Sequence, residues 1–230
     1  MKSEEQKYVS LKKYKLTGAQ KLYVAFKALV DFFIGLVGII VFAIPMVIIA
    51  IAIKLDSPGP VFFKQQRIGK NGKDYNILKF RSMSQNARHD VAGYEYKEAS
   101  CYITRVGNFI RKTSLDELPQ FFLLLTGKMS LIGYRPSQEN ETELNTAREK
   151  LDLYQIRPGI SGWAQVNGRD ILASHPTLKA QYDGYYLENI SPLLDIKIIL
   201  LTIYKVLSSK DIQEGMIDGL KEEKAKQLQK

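Results

Sequence analysis

The sequence predicts an α+β chain, mainly α-helical, with an N-terminal re-entrant membrane helix, interfacial amphipathic helices and a small β-hairpin. Three observations carry that expectation. Residues 32–53 form a run of 22 residues without a charge, enough helix to match the roughly 20 apolar residues a bilayer core requires. Two β-rich stretches, one at Val61, Phe62 and Phe63 and one at Tyr75, Ile77, Leu78 and Phe80, are separated by Gly69, Asn71 and Gly72, which supply hairpin turn chemistry. Later segments at 113–125, 139–154 and 193–207 read as helices.

In chain order, residues 1–27 form a basic N-terminal segment, of which 1–20 are polar and Lys-rich and are expected to form a surface segment or interfacial helix. The membrane helix follows at 28–55. Its apolar part is long and no small-residue cleavage pattern stands before Lys54 and Asp56, so a cleaved signal peptide is not expected. Seven lysines from Lys2 to Lys27 precede the run, and seven basic residues from Lys54 to Arg81 follow it. Lysine and arginine favour the cytoplasmic side. A helix that enters and returns keeps both clusters there, whereas a straight span carries one across. Pro45 supplies the bend, because it removes a backbone donor and crowds the preceding turn, so a break near Ile44 is expected. A single tilted span kinked at Pro45 is the competing expectation. Asp31, four residues after Lys27, reads as that lysine's interfacial partner.

Beyond the anchor, Ser57, Pro58, Gly59 and Pro60 form a rigid turn into the hairpin. Residues 84–100 are polar without periodicity and read as a loop. Gly127 ends the helical pattern at 113–125. Residues 193–207 are too short and too charged to span, so an in-plane or core position is expected. One body is therefore expected over 56–210, followed by a charged tail at 211–230, with no internal repeat.

Composition narrows the partners. A formal net charge of +9, from 33 Lys and Arg against 24 Asp and Glu, favours phosphate-bearing substrates, the anionic membrane leaflet or nucleic acid. No P-loop, dinucleotide fingerprint or RNA-recognition signature occurs, and no nucleic-acid partner is expected. The single cysteine, Cys101, excludes a disulfide framework and a cysteine-rich zinc site, and His89 and His175 have no metal-ligand spacing.

The residues able to carry chemistry begin with the adjacent carboxylates Asp116 and Glu117. Local spacing favours a capping box, with Ser114 and Glu117 satisfying each other's backbone donors at a helix start. The functional alternative is that one carboxylate attacks phosphorus while the other helps hold a divalent cation. Around the pair stand KFRSM at 79–83, Gly107 to Arg111, GKMSLIGYRP at 127–136 and RPGISGWAQVNGRD at 157–170.

Together these blocks resemble the bacterial sugar transferase family, the monotopic polyprenyl-phosphate phosphoglycosyl transferases, over roughly residues 22–210. The resemblance implies a ping-pong reaction. The residue matching Asp116 attacks the sugar-bearing phosphate of a UDP-sugar, UMP leaves, and polyprenyl (undecaprenyl) phosphate then takes the phosphosugar from the aspartyl intermediate. It implies Mg2+ as cofactor, with Glu117 and Asp116 as its ligands. It assigns Lys79, Arg81, Arg111, Arg135, Arg157 and Asp183 to phosphate binding or site support, and Pro45 to the membrane break. Phosphoryl transfer by positioning and charge compensation suits such a set. A helix N-terminus and the nearby arginines are expected to keep Asp116 ionised at neutral pH. Asn167 and Arg169 are weaker candidates for the nucleotide. The chain departs from the family pattern where Ile44 replaces a common Ser before the break proline and where Tyr134 replaces the first proline of a GPRP loop. The same resemblance places the catalytic body at the cytoplasmic face of a bacterial inner membrane against phospholipid, with a homodimer compatible. The rival readings are a membrane-bound UDP-sugar glycosyltransferase releasing UDP, for which no D-x-D motif occurs, and a non-catalytic membrane scaffold.

Overall fold

The computed structural model of the chain describes residues 13–84, 102–168, 172 and 175–207. The expected loop at 84–100 lies outside them except for Ser84, and the tail at 211–230, Cys101, His89 and Arg169 lie outside them entirely.

Helix α1 spans Gly18–Asp56, 39 residues, about 58 Å if straight at 1.5 Å per residue. It starts on a capping box: Thr17 Oγ1 accepts from Gln20 N–H, and Gln20 Oε1 accepts from the Thr17 backbone. Pro45 stands inside it, and helical structure continues across it. The break expected near Ile44 is therefore not an interruption of the helix. A helix-interior proline costs about 3 kcal/mol, and packing carries the chain across. Met46, Ile49 and Ile53 are buried against Phe80, Ile110 and Leu118 on the far side of the proline.

The rest of the chain lies along one face of α1 from end to end. Near its start, Lys27 reaches Asp195. At Asp31 the carboxylate accepts the Leu131 N–H at 2.9 Å. Asp31 is thus held by a backbone amide, and Lys27 finds its ion pair elsewhere than the expected i, i+4 partner. Gly38 lets Phe121 approach so closely that a Cβ there would lie 2.5 Å from the ring. At the far end, Asp56 accepts the Val106 N–H at 3.0 Å. The opposite face is apolar and open, from Leu22 through Val37, Ile44 and Ile48 to Leu55.

Strands β1 (Phe62–Ile68) and β2 (Asp74–Phe80) form the expected hairpin, antiparallel with Phe62 opposite Phe80. Asn71 at φ 59° and Gly72 at φ 69° make its turn, conformations that Asn and Gly accept at low cost. Helix α2 (Arg105–Lys112), capped by Thr104, leads to a 3-10 turn at Leu115–Gln120 and to the short helix α3 (Phe121–Leu125). Gly127 at φ 65° then ends the helical stretch. Strands β3 (Ser130–Ile132) and β4 (Gly159–Ser161) pair in parallel, a contact the sequence did not announce. It depends on Gly159, where a Cβ would lie 2.1 Å from the Gly133 amide.

Helix α4 (Thr142–Lys150) lies between these strands in the chain, α5 (Trp163–Gly168) follows β4, and α6 (Pro176–Glu188) packs on α4 and α5. The main core gathers Ile132, Tyr134, Leu153, Trp163, Tyr186 and Leu187. Helix α7 (Pro192–Leu207) is inverted relative to a soluble helix. Leu193, at 80 % exposure, Ile196, Leu200, Ile203 and Tyr204 face outward, while Asp195 is buried and Thr202 bonds Ser161 at 2.7 Å. An apolar outer face with polar groups turned inward is the pattern of a helix lying against lipid.

Candidate active site

Asp116 and Glu117 lie on the 3-10 turn, entered through Ser114 at φ 57°. The expected capping box is not formed, since Ser114 makes no side-chain cap bond. Glu117 turns instead to two cations, a charge-assisted pairing stronger than a neutral cap. Its Oε1 accepts from Lys79 Nζ at 2.6 Å and from Arg135 Nη2 at 3.2 Å. Asp116 Oδ2 lies 3.8 Å from Lys79 Nζ. The β-hairpin thus delivers Lys79, the turn delivers both carboxylates, and the segment after β3 delivers Arg135. Arg111, in the last turn of α2, adds a further positive field at Asp116.

Burial pushes the Asp116 carboxyl above its ordinary value, and the Glu117 charge adds to that push. Lys79, Arg111 and Arg135 oppose it without cancelling it. The α-helix end expected to favour the ionised form is not present, since the turn is a short 3-10 segment, and desolvation is a larger effect than any of the three cations. An elevated value also makes the carboxylate a better base toward phosphorus once ionised.

Two hard carboxylates side by side suit Mg2+, which binds through one or two carboxylates and completes its shell with water and substrate phosphate. Among the described residues no group of three or more acidic, His or Cys side chains gathers, so any such ion would draw its remaining ligands from substrate and water.

Three of the residues expected to bind phosphate or support the site find their partners away from the carboxylate pair. Arg81 serves the C-terminus of α1, donating from Nη1 to Pro58 O at 2.8 Å and from Nη2 to Ser57 O at 2.7 Å and Ser57 Oγ at 2.9 Å. Its Nη2 also reaches Ile53 O in the last turn of α1 at 3.3 Å, so one guanidinium ties the helix end to the turn that follows it. Asp183 is buried on α6 and takes Nη2 of Arg148 at 2.6 Å and its Nε at 3.1 Å. Arg157 lies against Gly127 and lines a small cavity with Lys27, Asp31 and Tyr186, apart from the carboxylate pair. Arg148 was missed, because its partner stands 35 residues away and no local spacing marks it. Tyr134, in place of a loop proline, is fixed by burial and by the Arg148 guanidinium 5.0 Å from its ring.

A long apolar anchor beside a carboxylate pair faced by cations defines a membrane-associated chain with a centre for anionic, phosphate-bearing ligands. A family profile described as "Bacterial sugar transferase" matches residues 22–209, and the chain belongs to that family. It is 42 % identical over 190 residues to a UDP-N-acetylgalactosamine-undecaprenyl-phosphate N-acetylgalactosaminephosphotransferase of Aeromonas hydrophila, covering 81 % of this chain and 45 % of that protein. It is 41 % identical over 196 residues to a UDP-glucose:undecaprenyl-phosphate glucose-1-phosphate transferase of Xanthomonas campestris pv. campestris, covering 82 % of this chain and 40 % of the relative. To the uncharacterized sugar transferase EpsL of Bacillus subtilis (strain 168) it is 38 % identical over 164 residues, covering 70 % of this chain and 77 % of the relative. The chain thus spans less than half the length of the first two.

Proposed function

We propose that this chain is a polyprenyl-phosphate sugar-1-phosphate transferase that moves a sugar 1-phosphate from a UDP-sugar to polyprenyl (undecaprenyl) phosphate, giving polyprenyl-diphosphate-sugar and UMP. The observation that carries the reading is the position of the carboxylate pair. Asp116 and Glu117 face Lys79 and Arg135, while Phe109, 61 % exposed, and Phe122 open apolar surface on the neighbouring elements. A charged centre at the edge of apolar surface suits a reaction between a water-soluble donor and a lipid phosphate.

In the first step an Asp116 carboxylate oxygen attacks the sugar-bearing phosphorus. An O–P bond forms, the bond from that phosphorus to the bridging oxygen breaks, and the electron pair leaves with UMP. In the second step a lipid phosphate oxygen attacks the same phosphorus, and the Asp116 carboxylate departs. Lys79 and Arg135 hold Glu117 in place and offset charge as the phosphates approach. Mg2+ held by Glu117 and Asp116 would supply further charge neutralisation on phosphate.

The membrane placement we propose is monotopic. Both ends of α1 are fastened to one body, at Asp195 and at Val106, and the open apolar faces of α1 and α7 would lie in the same leaflet. Opposite-side flanks would require this polar body to cross lipid. The basic flanks support a position of the body at the cytoplasmic face of the bacterial inner membrane, where the reaction would be the first membrane step of capsule, exopolysaccharide or glycoconjugate assembly.

The test is a panel of UDP-sugars with polyprenyl phosphate in lipid nanodiscs, because relatives at nearly equal identity are named for different sugars. One donor is expected to yield UMP, with labelled phosphosugar trapped on Asp116 when lipid phosphate is withheld. Asp116→Asn is expected to lower the rate by roughly 10^4-fold or more, as loss of a nucleophile does. Release of UDP, or full activity in Asp116→Asn, overturns the reading.

A further inference from the structure

Arg67 joins the β-hairpin to the loop that carries Arg135. It stands on β1 opposite Tyr75 of β2, so it shares a face of the hairpin with Tyr75 and Lys79. From that position its Nη1 donates to Pro136 O at 3.3 Å and to Glu141 Oε1 at 3.4 Å. One residue further along β1, the Ile68 N–H donates to Ser137 O at 3.0 Å. The end of β1 therefore grips the two residues that follow Arg135, once through a side chain and once through the backbone.

The local chain makes that grip effective at Arg135. As the residue before a proline, Arg135 is biased toward extended backbone, and the ring fixes φ of Pro136. On the other side Tyr134 is buried, and its carbonyl accepts the Gly159 N–H at 2.8 Å. With both neighbours held, the direction in which the Arg135 side chain leaves the loop is set, and its Nη2 meets Glu117 Oε1 at 3.2 Å.

Glu141 gives Arg67 a second task. It stands at the start of α4, where its Oε1 also accepts the Gln138 N–H at 2.8 Å and its own N–H donates to Gln138 O at 3.2 Å. This carboxylate is thus fixed beside the Arg135 loop, and its charge acts on Arg135 after those of Glu117 and Asp116. The Arg67 guanidinium neutralises it. Without that guanidinium, Glu141 becomes a rival to Glu117 for Arg135.

We propose that Arg67 is a positioning residue for the transfer: by holding the Pro136 carbonyl and occupying Glu141, it keeps Arg135 on Glu117. One hairpin then aligns both cations of the site, Lys79 directly and Arg135 through Arg67. The consequence for activity rests on the transferase reading above, whereas the position of Arg135 does not.

Two readouts on the full chain test it. A crystal structure of Arg67→Met in detergent is expected to show the Arg135 guanidinium turned from Glu117 toward Glu141. In lipid nanodiscs with polyprenyl phosphate, Arg67→Met is expected to lower kcat/KM for the UDP-sugar about tenfold, the scale on which a misplaced site group costs rate. Glu141→Gln keeps an acceptor for Gln138 and removes the rival charge. Alone it should stay within about twofold of wild type, and added to Arg67→Met it should restore kcat/KM to within about threefold. A merely structural Arg67 predicts the opposite, because a second lost partner weakens the loop further. The proposal is overturned if Arg135 stays on Glu117 in Arg67→Met, if kcat/KM is unchanged there, or if the double variant is no faster than Arg67→Met. Should Arg67→Met not fold, Arg67→Gln carries both readouts, and loss of fold in both overturns the proposal in favour of a structural arginine. A wild type that releases UDP would sink the transferase reading, and the position of Arg135 in the variant would still decide this one.

Discussion

Two clusters of opposite charge sit a short way apart in this chain, and they are built from the same residue types to different ends. In one, Lys79 and Arg135 face Asp116 and Glu117, and every side chain retains some exposure, between 13 and 31 %. In the other, Arg148 and Asp183 are 0 and 1 % exposed and satisfy each other through two hydrogen bonds. The family resemblance singles out residues of both clusters, Lys79, Arg135, Asp116 and Glu117 in one and Asp183 in the other. What separates them is where each donor goes. Arg148 also reaches Ser137 Oγ at 3.1 Å and stacks on Tyr134, so its fork is occupied by structure. Lys79 and Arg135 both converge on one oxygen of Glu117 and remain reachable by a ligand.

The comparison is sharpest when one carboxylate from each cluster is neutralised. Asp183→Asn strands a buried guanidinium, and breaking such a pair costs about 3–5 kcal/mol. Denaturant unfolding in detergent is expected to show that loss, with activity falling only as the folded fraction falls. Asp116→Asn should do the reverse, abolishing UMP release while keeping or raising stability. The sign follows from the raised Asp116 value. Below the ordinary carboxylate range both forms are neutral there and no difference is expected. As pH rises toward the elevated folded value, the wild type meets the cost of burying a charge that the Asn variant never carries. A destabilised Asp116→Asn and an unaffected Asp183→Asn would erase the distinction.

How far the sequence foretold this arrangement depends on how local the cause was. The hairpin was legible because Asn71 and Gly72 specify a turn within a few residues, and α1 because 22 uncharged residues exceed any packing ambiguity. The carboxylate pair was legible only through the surrounding blocks, since spacing alone pointed to a cap that Ser114 does not make. The continuity of α1 through Pro45, the β3–β4 pairing and the roles of Arg81, Arg148 and Asp183 depend on contacts between distant residues. Asp183 and Arg148 are 35 residues apart, and Arg81 reaches back 24 to Ser57. A motif marks that such residues matter without saying whether they touch substrate or hold the chain.

A finer contrast lies on one strand and its edge. Lys79 and Arg81 are two residues apart, one in the site and one on the C-terminus of α1. Arg81→Met should loosen that helix end by about 1–3 kcal/mol, the cost of leaving buried acceptors unpaired, read as a lowered unfolding midpoint with little change in KM for the donor. Lys79→Met should leave the midpoint nearer to wild type and raise that KM.

The same substitution tests the electrostatics by pH. Lys79 is the strongest of the charges that oppose the rise at Asp116, so its removal leaves burial and Glu117 less opposed. The nucleophile must be ionised to attack, and the acidic limb of kcat/KM reports that ionisation in the free enzyme. In wild type this limb should therefore stand above the range of an ordinary aspartate, and in Lys79→Met it should move further toward neutral pH. Arg81→Met should move it much less, because the Arg81 guanidinium is bound to Pro58 and Ser57 at the end of α1 rather than to the carboxylate pair. A limb that shifts equally in both variants, or downward in Lys79→Met, would mean that Lys79 is another structural cation and that the two clusters differ in exposure alone.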